Sequence, residues 1–377
     1  MKLVVSGGGT GGHVYPALAV LAALPRPGTG PATVAADILW VGSKGRIEED
    51  LVTRAGYRFI GLAAGGLRGT GLAAKLRNAV QIAAGVVKAQ RILADFRPDV
   101  VLSTGGYASV AVSVAAWLRR IPVLIYLPDI EPGLAIRLQS QFAARVATTS
   151  EASYRYFQRD KVSVTGYPVR PELFTLTQAE ARQALGLAAD SAVLLAFGGS
   201  QGARSINQAI VNGLESLLPV CQVLHVTGRL DEESVAAAAS RLPSGWQERY
   251  HVHAYLHDMP MALVAADLGV ARAGAATLGE LPAAGLPAIL VPYPYSGQHQ
   301  VPNAEFMARN GAARVLPDSE LSDRLVPAIL ELLGDKTMLA SMREAARALA
   351  RPDAAEAIAQ QVRMLAHRQM GRTEGGA

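Results

Sequence analysis

Directly after the apolar run Leu3-Val4-Val5, residues Ser6 to Pro16 read SGGGTGGHVYP. A short β-branched run, then packed glycines, then the helix-compatible segment Ala17 to Leu24 spells strand, tight loop and helix, which puts the loop at the carboxyl edge of a parallel sheet. Glycines let the backbone approach a ligand closely, and the N–H groups that open a helix suit an anion. His13 stands at that mouth, either as a proton acceptor or as a plain surface histidine on a structural turn. The pattern then returns. Asp99 to Leu102 runs into Ser103-Thr104-Gly105-Gly106-Tyr107 ahead of the apolar helix Ala108 to Leu118, and Val193 to Phe197 runs into Gly198 to Ala203 ahead of the helix Ile206 to Leu218. This echo predicts two doubly wound α/β domains.

The chain has 377 residues, half of them hydrophobic, which is enough for two cores and too long for one ordinary domain. The single cysteine, Cys221, lies in an apolar run and reads as a small buried hydrophobe, so disulfides and cysteine metal sites are excluded. Met1-Lys2-Leu3 enters a strand without the apolar core of a signal peptide, which implies a cytoplasmic, reducing compartment. The uncharged window Val100 to Leu118 is long enough to span a bilayer, but Ser103 to Tyr107 interrupt it as a loop would. Net charge is +5, and part of the excess is local: Arg68, Lys75, Arg77, Lys88 and Arg91 are interleaved with Leu72, Leu76, Val80, Ile82, Val86 and Val87. Such a helix either packs on its sheet or lies on an anionic membrane surface. No motif for nucleic acid accompanies the charge.

In chain order, strands are expected at Ile38 to Val41, Tyr57 to Leu62, Pro122 to Leu127, Arg145 to Thr149 and Val162 to Thr165, completing the first sheet. Gly166 to Pro171 is the hinge, separating domain 1–166 from domain 167–352, with a last helix from 353 to 368 packing back on the first. The second sheet takes Cys221 to Thr227, Tyr250 to Leu256, Leu268 to Ala271 and Ala288 to Pro292, and helical sequence fills Leu321 to Ala350 and Ala354 to His367. No acid ends the second strand to hold a ribose, which counts against a dinucleotide. There is no Asp-x-Asp pair, and His251, His253 and His257 do not form a helical pair, so no metal site is expected. No Walker A pattern occurs.

Every residue with chemistry to offer falls at a strand's carboxyl edge. The first loop brings Thr10 and His13, the second Tyr107, and the third Ser200 and Gln201. Arg272 to Glu280 again sets small residues at a helix start, with Glu280 one turn in, either as a ribose ligand or as a plain helix-dipole acid. Tyr293 to Asn303 carries Gln298, His299, Gln300 and Asn303, neutral groups that suit sugar hydroxyls or a polar surface. Together these point to a nucleotide diphosphate sugar.

The stretches GGGTGGHVYP (Gly7 to Pro16), STGGYAS (Ser103 to Ser109), GGSQGARSIN (Gly198 to Asn207), Leu256 to Arg272 and Glu280 to Pro294 resemble the MurG family of glycosyltransferase family 28, in order and over nearly the whole chain. The resemblance implies the GT-B fold, in which two Rossmann-like domains face each other across a cleft. It also implies an inverting transfer of N-acetylglucosamine from UDP-N-acetylglucosamine to lipid I at the cytoplasmic face of the inner membrane, with no cofactor and no required metal. Carried over by position, Thr10, Gly11 and Gly12 match the loop near the donor and His13 the general base. Arg170, Ser200, Leu256 and the run Ala275, Ala276, Thr277, Leu278, Gly279 and Glu280 match donor contacts, with Glu280 on the ribose, while Gln300 and Asn303 match the sugar-reading pair. His299 stands where the family has glutamine. Tyr126-Leu127-Pro128-Asp129 stands where the family has His-Glu-Gln-Asn, so a carboxylate, Asp129, replaces an amide and becomes a second candidate base. Two other readings stand beside this one: another UDP-sugar-dependent glycosyltransferase acting on a lipid or small molecule, and a UDP-sugar-binding protein without turnover.

Overall fold

The computed structural model describes residues 1–8, 11–24, 36–62, 72–199, 202–295 and 299–374. They divide into two compact units, Met1–Pro168 with Asp353–Ala377, and Val169–Pro352.

Unit one is built on seven strands: β1 (Lys2–Gly7), β2 (Asp37–Ser43), β3 (Arg58–Leu62), β4 (Val100–Gly105), β5 (Val123–Leu127), β6 (Arg145–Thr148) and β7 (Val162–Val164). Their spatial order is β3-β2-β1-β4-β5-β6-β7, and every neighbouring pair is parallel. Helices α1 (Gly11–Ala22), α2 (Ile47–Arg54), α3 (Leu72–Phe96), α4 (Tyr107–Leu118) and α5 (Leu134–Ser140) make the crossovers. A parallel sheet covered on both faces needs continuous apolar strands, and β4 and β5 are buried at every position. One core cluster joins Val4, Leu39, Val101 and Ile125 to Leu93 of α3 and Val112 and Ala115 of α4.

Unit two holds six strands: β8 (Ala192–Phe197), β9 (Cys221–Val226), β10 (Tyr250–His253), β11 (Leu268–Ala271), β12 (Ala288–Leu290) and β13 (Ala313–Val315), ordered β10-β9-β8-β11-β12-β13 and again parallel. Its helices are α6 (Glu172–Thr175), α7 (Gln178–Ala184), α8 (Arg204–Asn212), α9 (Leu214–Leu217), α10 (Glu232–Ala239), α11 (Ser244–Gln247), α12 (Met259–Ala265), α13 (Thr277–Ala284), α14 (Gln300–Arg309), α15 (Leu321–Gly334) and α16 (Lys336–Leu349). The last helix, α17 (Ala354–Glu374), returns to unit one and packs on α1, β4 and β5 through Ile358, Val362 and Leu365.

Several expected elements are corrected. Strand β13 was not anticipated, because three residues are too few to show an alternation. The third strand of unit two ends at His253 rather than Leu256. The helix expected over Ile206 to Leu218 is split at Gly213 into α8 and α9, and Leu321 to Ala350 is split at Asp335, whose side chain accepts from the Met338 N–H and so caps α16. Helix α17 runs past His367 to Glu374. Within Met1–Pro168 the Tyr126 hydroxyl donates to the Gly166 carbonyl and the Tyr126 ring packs edge-on against Tyr167. Cys221 is fully buried, as its apolar surroundings imply. Among the described residues no helix is long and apolar enough to cross a membrane.

Candidate active site

Unit one winds from β1 through β2 to β3, then returns to the other side of β1 at β4. The crevice at the carboxyl ends of β1 and β4 is therefore its topological switch point, where such sheets take ligand. The first two glycine loops leave the sheet there. Gly7 pairs with Gly105, and the Gly8 N–H donates to the Gly105 carbonyl at 3.2 Å. Gly11, Gly12 and His13 open α1. His13 Nδ1 lies 2.6 Å from the Thr104 carbonyl oxygen, and the Thr104 hydroxyl donates to the His13 carbonyl at 2.8 Å. A carbonyl only accepts, so Nδ1 carries the proton and the neutral ring keeps an unprotonated Nε2. That is the tautomer a general base needs.

Beneath the first loop lies Glu48 of α2, fully buried, accepting from the Ser43 N–H. It occupies the space beside Gly8 and Gly42, where a Cβ would meet its carboxylate. Asp129 sits just past β5 and is half-buried. Its neighbour Tyr126 is fully enclosed, with its hydroxyl 2.9 Å from Thr149 Oγ1, which in turn donates to the Pro128 carbonyl at 2.8 Å. Burial holds the Tyr126 phenol well above its usual range, with the Asp129 charge adding to the effect and the Thr149 hydrogen bond opposing it.

Unit two has its own switch point, between β8 and β11. Gly202 follows β8 with φ of +81°, and a Cβ on it would fall 2.0 Å from the Thr227 carbonyl oxygen. Only glycine fits that contact. Asn207 of α8 fastens the same carbonyl: its Nδ2 donates to Thr227 O at 2.8 Å and to Asp231 at 2.9 Å. Its Oδ1 then accepts from His225 Nε2 at 3.0 Å, which leaves His225 Nδ1 to accept from the Tyr250 hydroxyl at 2.8 Å. Burial pushes His225 down to about 4 and holds the Tyr250 phenol well above its ordinary range, so both are neutral in use. Arg272, at the end of β11, binds Asp318 at 2.5 Å and donates to Ser205 of α8 at 2.8 Å, tying the two sides of the switch point together.

The turn before α13 holds Ala275 and Ala276, and Thr277, Leu278, Gly279 and Glu280 form the helix's first turn. The Thr277 hydroxyl donates to the Gly274 carbonyl at 2.6 Å. Glu280 is held up at about 7, chiefly by burial, with the Arg170 guanidinium pulling the other way. Asn303 of α14 is fully buried and donates to the Ala273 carbonyl at 3.1 Å, so it fastens the loop from below. Gln300 accepts from the Tyr293 N–H at 2.9 Å, and His299, just ahead of α14, is exposed. Leu256 lies past the end of β10, between Tyr255 and His257, whose rings meet edge to face at 4.8 Å.

Thr10, Ser200 and Gln201 lie outside the described residues, as does the side chain of Tyr107, whose backbone opens α4. Within unit one the structure joins His13 to the second loop, and within unit two it sets Arg170 near Glu280 and Asn303 against the loop ahead of α13, while Gln300 pairs with Tyr293. Sequence reasoning missed Thr104, Asn207 and His225, whose hydrogen bonds join residues distant in sequence, and Glu48, which accepts from the nearby Ser43 N–H. Among the described residues, no three His, Cys, Asp or Glu side chains are grouped to hold a metal ion.

Comparison with known proteins fits this geometry. Residues 3–148 match the glycosyltransferase family 28 N-terminal domain, and residues 193–358 match the family's C-terminal domain. A Roseiflexus sp. (strain RS-1) protein named UDP-N-acetylglucosamine--N-acetylmuramyl-(pentapeptide) pyrophosphoryl-undecaprenol N-acetylglucosamine transferase is 42% identical, with 94% of this chain and 92% of the relative aligned. A Desulforamulus reducens protein of the same name is 38% identical over 98% of this chain and its own full length. The crystal structure of Acinetobacter baumannii MurG superposes with a TM-score of 0.75 at 26% identity, covering 96% of this chain and 99% of that one. A Neisseria meningitidis UDP-GlcNAc 2-epimerase bound to UDP-GlcNAc shares the fold, with a TM-score of 0.69 at 15% identity over 96% of this chain and 99% of that one. With both family domains matched in order and the glycine loops at the two switch points, the chain belongs to glycosyltransferase family 28.

Proposed function

We propose that the chain transfers N-acetylglucosamine from UDP-N-acetylglucosamine to the muramyl 4-hydroxyl of lipid I, the undecaprenyl-pyrophosphoryl-muramyl-pentapeptide, and so forms lipid II. The observation that carries this reading is the likeness, over nearly the full length of both chains, to transferases whose name states that reaction. The acceptor oxygen attacks the anomeric carbon as the bond to UDP breaks, which inverts that centre. His13 Nε2 takes the hydroxyl proton, its Nδ1–H held by Thr104, and Asp129 is the second candidate for that role. Unit one serves the acceptor, with Tyr107 in its second loop and Thr10, Gly11 and Gly12 in the loop near the donor. Unit two serves the donor: Arg170, Ser200, Gln201 and the N–H groups opening α13 meet the charge that develops on UDP, Glu280 holds the ribose, Leu256 meets the uracil, and His299, Gln300 and Asn303 read the sugar.

Unit one also supports the membrane face of this reading. Helix α3 buries Ala89, Leu93 and Phe96 in the core yet leaves Val80 and Val87, two turns apart, exposed. Trp117 and Leu118 of α4 and Leu134 and Leu138 of α5 are exposed beside exposed Lys88, Arg91, Arg119 and Arg120. Arg119 donates to Gln90 at 2.6 Å, and Trp117 packs on Phe142 at 5.2 Å, so these side chains stand on neighbouring helices. An apolar patch rimmed by cations fits an anionic bilayer at the cytoplasmic side of the inner membrane, where a lipid-borne acceptor is presented.

The test is incubation of the purified protein with UDP-N-acetylglucosamine and a short-chain lipid I analogue, read by product mass. Gain of one N-acetylhexosamine is expected. Transfer to a different lipid or small acceptor alone replaces the acceptor assignment, and UDP affinity without UDP release replaces catalysis with binding.

A further inference from the structure

Helix α5 carries Ile136 into the core of unit one, and three residues on, where the helical period calls for a second apolar side chain, stands Gln139. It is fully buried, as are Ser103, Ser109 and Ser113 around it. A buried carboxamide among hydroxyls is costly unless each group is partnered, and here each one is. Ser103 Oγ donates to Gln139 Oε1 at 2.5 Å and Ser113 Oγ to the same oxygen at 3.0 Å, while Gln139 Nε2 donates to Ser109 Oγ at 3.4 Å. Two of these contacts continue into the second glycine loop. Ser103 Oγ accepts from the Gly105 N–H at 3.4 Å, and Ser109 Oγ donates to the Gly106 carbonyl at 2.7 Å. The carboxamide thus fastens the end of β4 and the start of α4 from below, on both sides of the peptide whose carbonyl orients His13.

We propose that Gln139 is a positioning residue for the reaction: its buried carboxamide gathers Ser103, Ser109 and Ser113 so that the loop presents the Thr104 carbonyl to His13 Nδ1 and keeps Nε2 as the free base. This rests on the reading of His13 as base. Gln139→Leu keeps the shape but strands the hydroxyls, and turnover with the lipid I analogue falls roughly ten- to hundred-fold, as a sub-ångström misplacement does, while the KM for UDP-N-acetylglucosamine stays within about twofold. Gln139→Glu keeps the oxygen that Ser103 and Ser113 donate to but loses the Nε2 donor to Ser109, so it recovers only part of the loss. In a His13→Ala background, Gln139→Leu costs nothing further, because the group it serves is gone.

Thermal unfolding checks that each variant is folded. Should Gln139→Leu fail to fold, Ser103→Ala, which removes the hydroxyl linking Gln139 to Gly105, is read in its place against the same background. Wild-type turnover in folded Gln139→Leu, or an equal proportional loss with and without His13, overturns the role of Gln139 while leaving the base intact. Full turnover in His13→Ala alone overturns the base reading, and this proposal with it.

Discussion

Glu280 and His225 are titrating groups of unit two whose acidities are moved in ways that oppose each other in stability. Glu280 has an ordinary value of 4.5 and is held at about 7 when folded. Between those values the folded chain keeps a proton that the unfolded chain has released, so stability falls as pH rises through that window. His225 moves from 6.5 down to about 4, and there the unfolded chain binds the proton that the folded one refuses, so stability rises with pH. The windows overlap, and the wild-type melting temperature is expected to conceal both slopes. Glu280→Gln should gain on the wild type as pH climbs from about 4.5 to 7, and the deficit of His225→Gln should shrink as pH falls from about 6.5 to 4. Melting curves across that range check both, and parallel curves for all three proteins contradict them. The same Glu280→Gln variant should bind UDP roughly tenfold more weakly by calorimetry, the loss of one charged hydrogen-bond acceptor. Unchanged affinity removes Glu280 from the ribose.

At the scale of elements, the Thr227 carbonyl after β9 is met from two directions, by the Gly202 backbone and by the Asn207 side chain from α8. Gly202→Ala should therefore cost donor affinity by roughly tenfold or more, since the Cβ and the carbonyl cannot share the space. Gly186 supplies the contrast. Its φ is also positive, at +66°, but nothing lies within 4 Å of an added Cβ. Gly186→Ala should cost only about 1–2 kcal/mol of stability by chemical denaturation and leave UDP affinity unchanged. Equal affinities in the two alanine variants contradict the account. The sequence made the loops legible because strand, glycine cluster and helix recur three times with the same grammar, and His13 could be marked as a base because it ends one of them. What holds the loops was not legible. Gln139, His225, Asn207 and Glu48 are ordinary polar residues in sequence, and their partners lie 26 to 36, 18 to 25, 18 to 24 and 5 positions away along the chain. Strand β13 and the breaks at Gly213 and Asp335 escaped for the opposite reason, being too short or too local to disturb a periodicity.

For the molecule as a whole, two sheets of one design are put to different uses. Unit one combines a fixed histidine tautomer with exposed apolar helices, and unit two combines helix openings with a half-buried acid. If α3 and α4 meet lipid, Val87→Glu with Trp117→Glu should lower flotation with vesicles of anionic phospholipid several-fold and leave UDP affinity unchanged. Equal flotation removes the membrane face. The central claim is that His13 takes the proton from the attacking hydroxyl. The most direct measurement is the steady-state turnover of His13→Ala on UDP-N-acetylglucosamine and a lipid I analogue, paired with its UDP affinity by calorimetry. The account predicts a kcat lower by roughly 10² to 10⁴ with affinity unchanged. A kcat near that of the wild type, or a loss matched by an equal loss of UDP affinity, would contradict it.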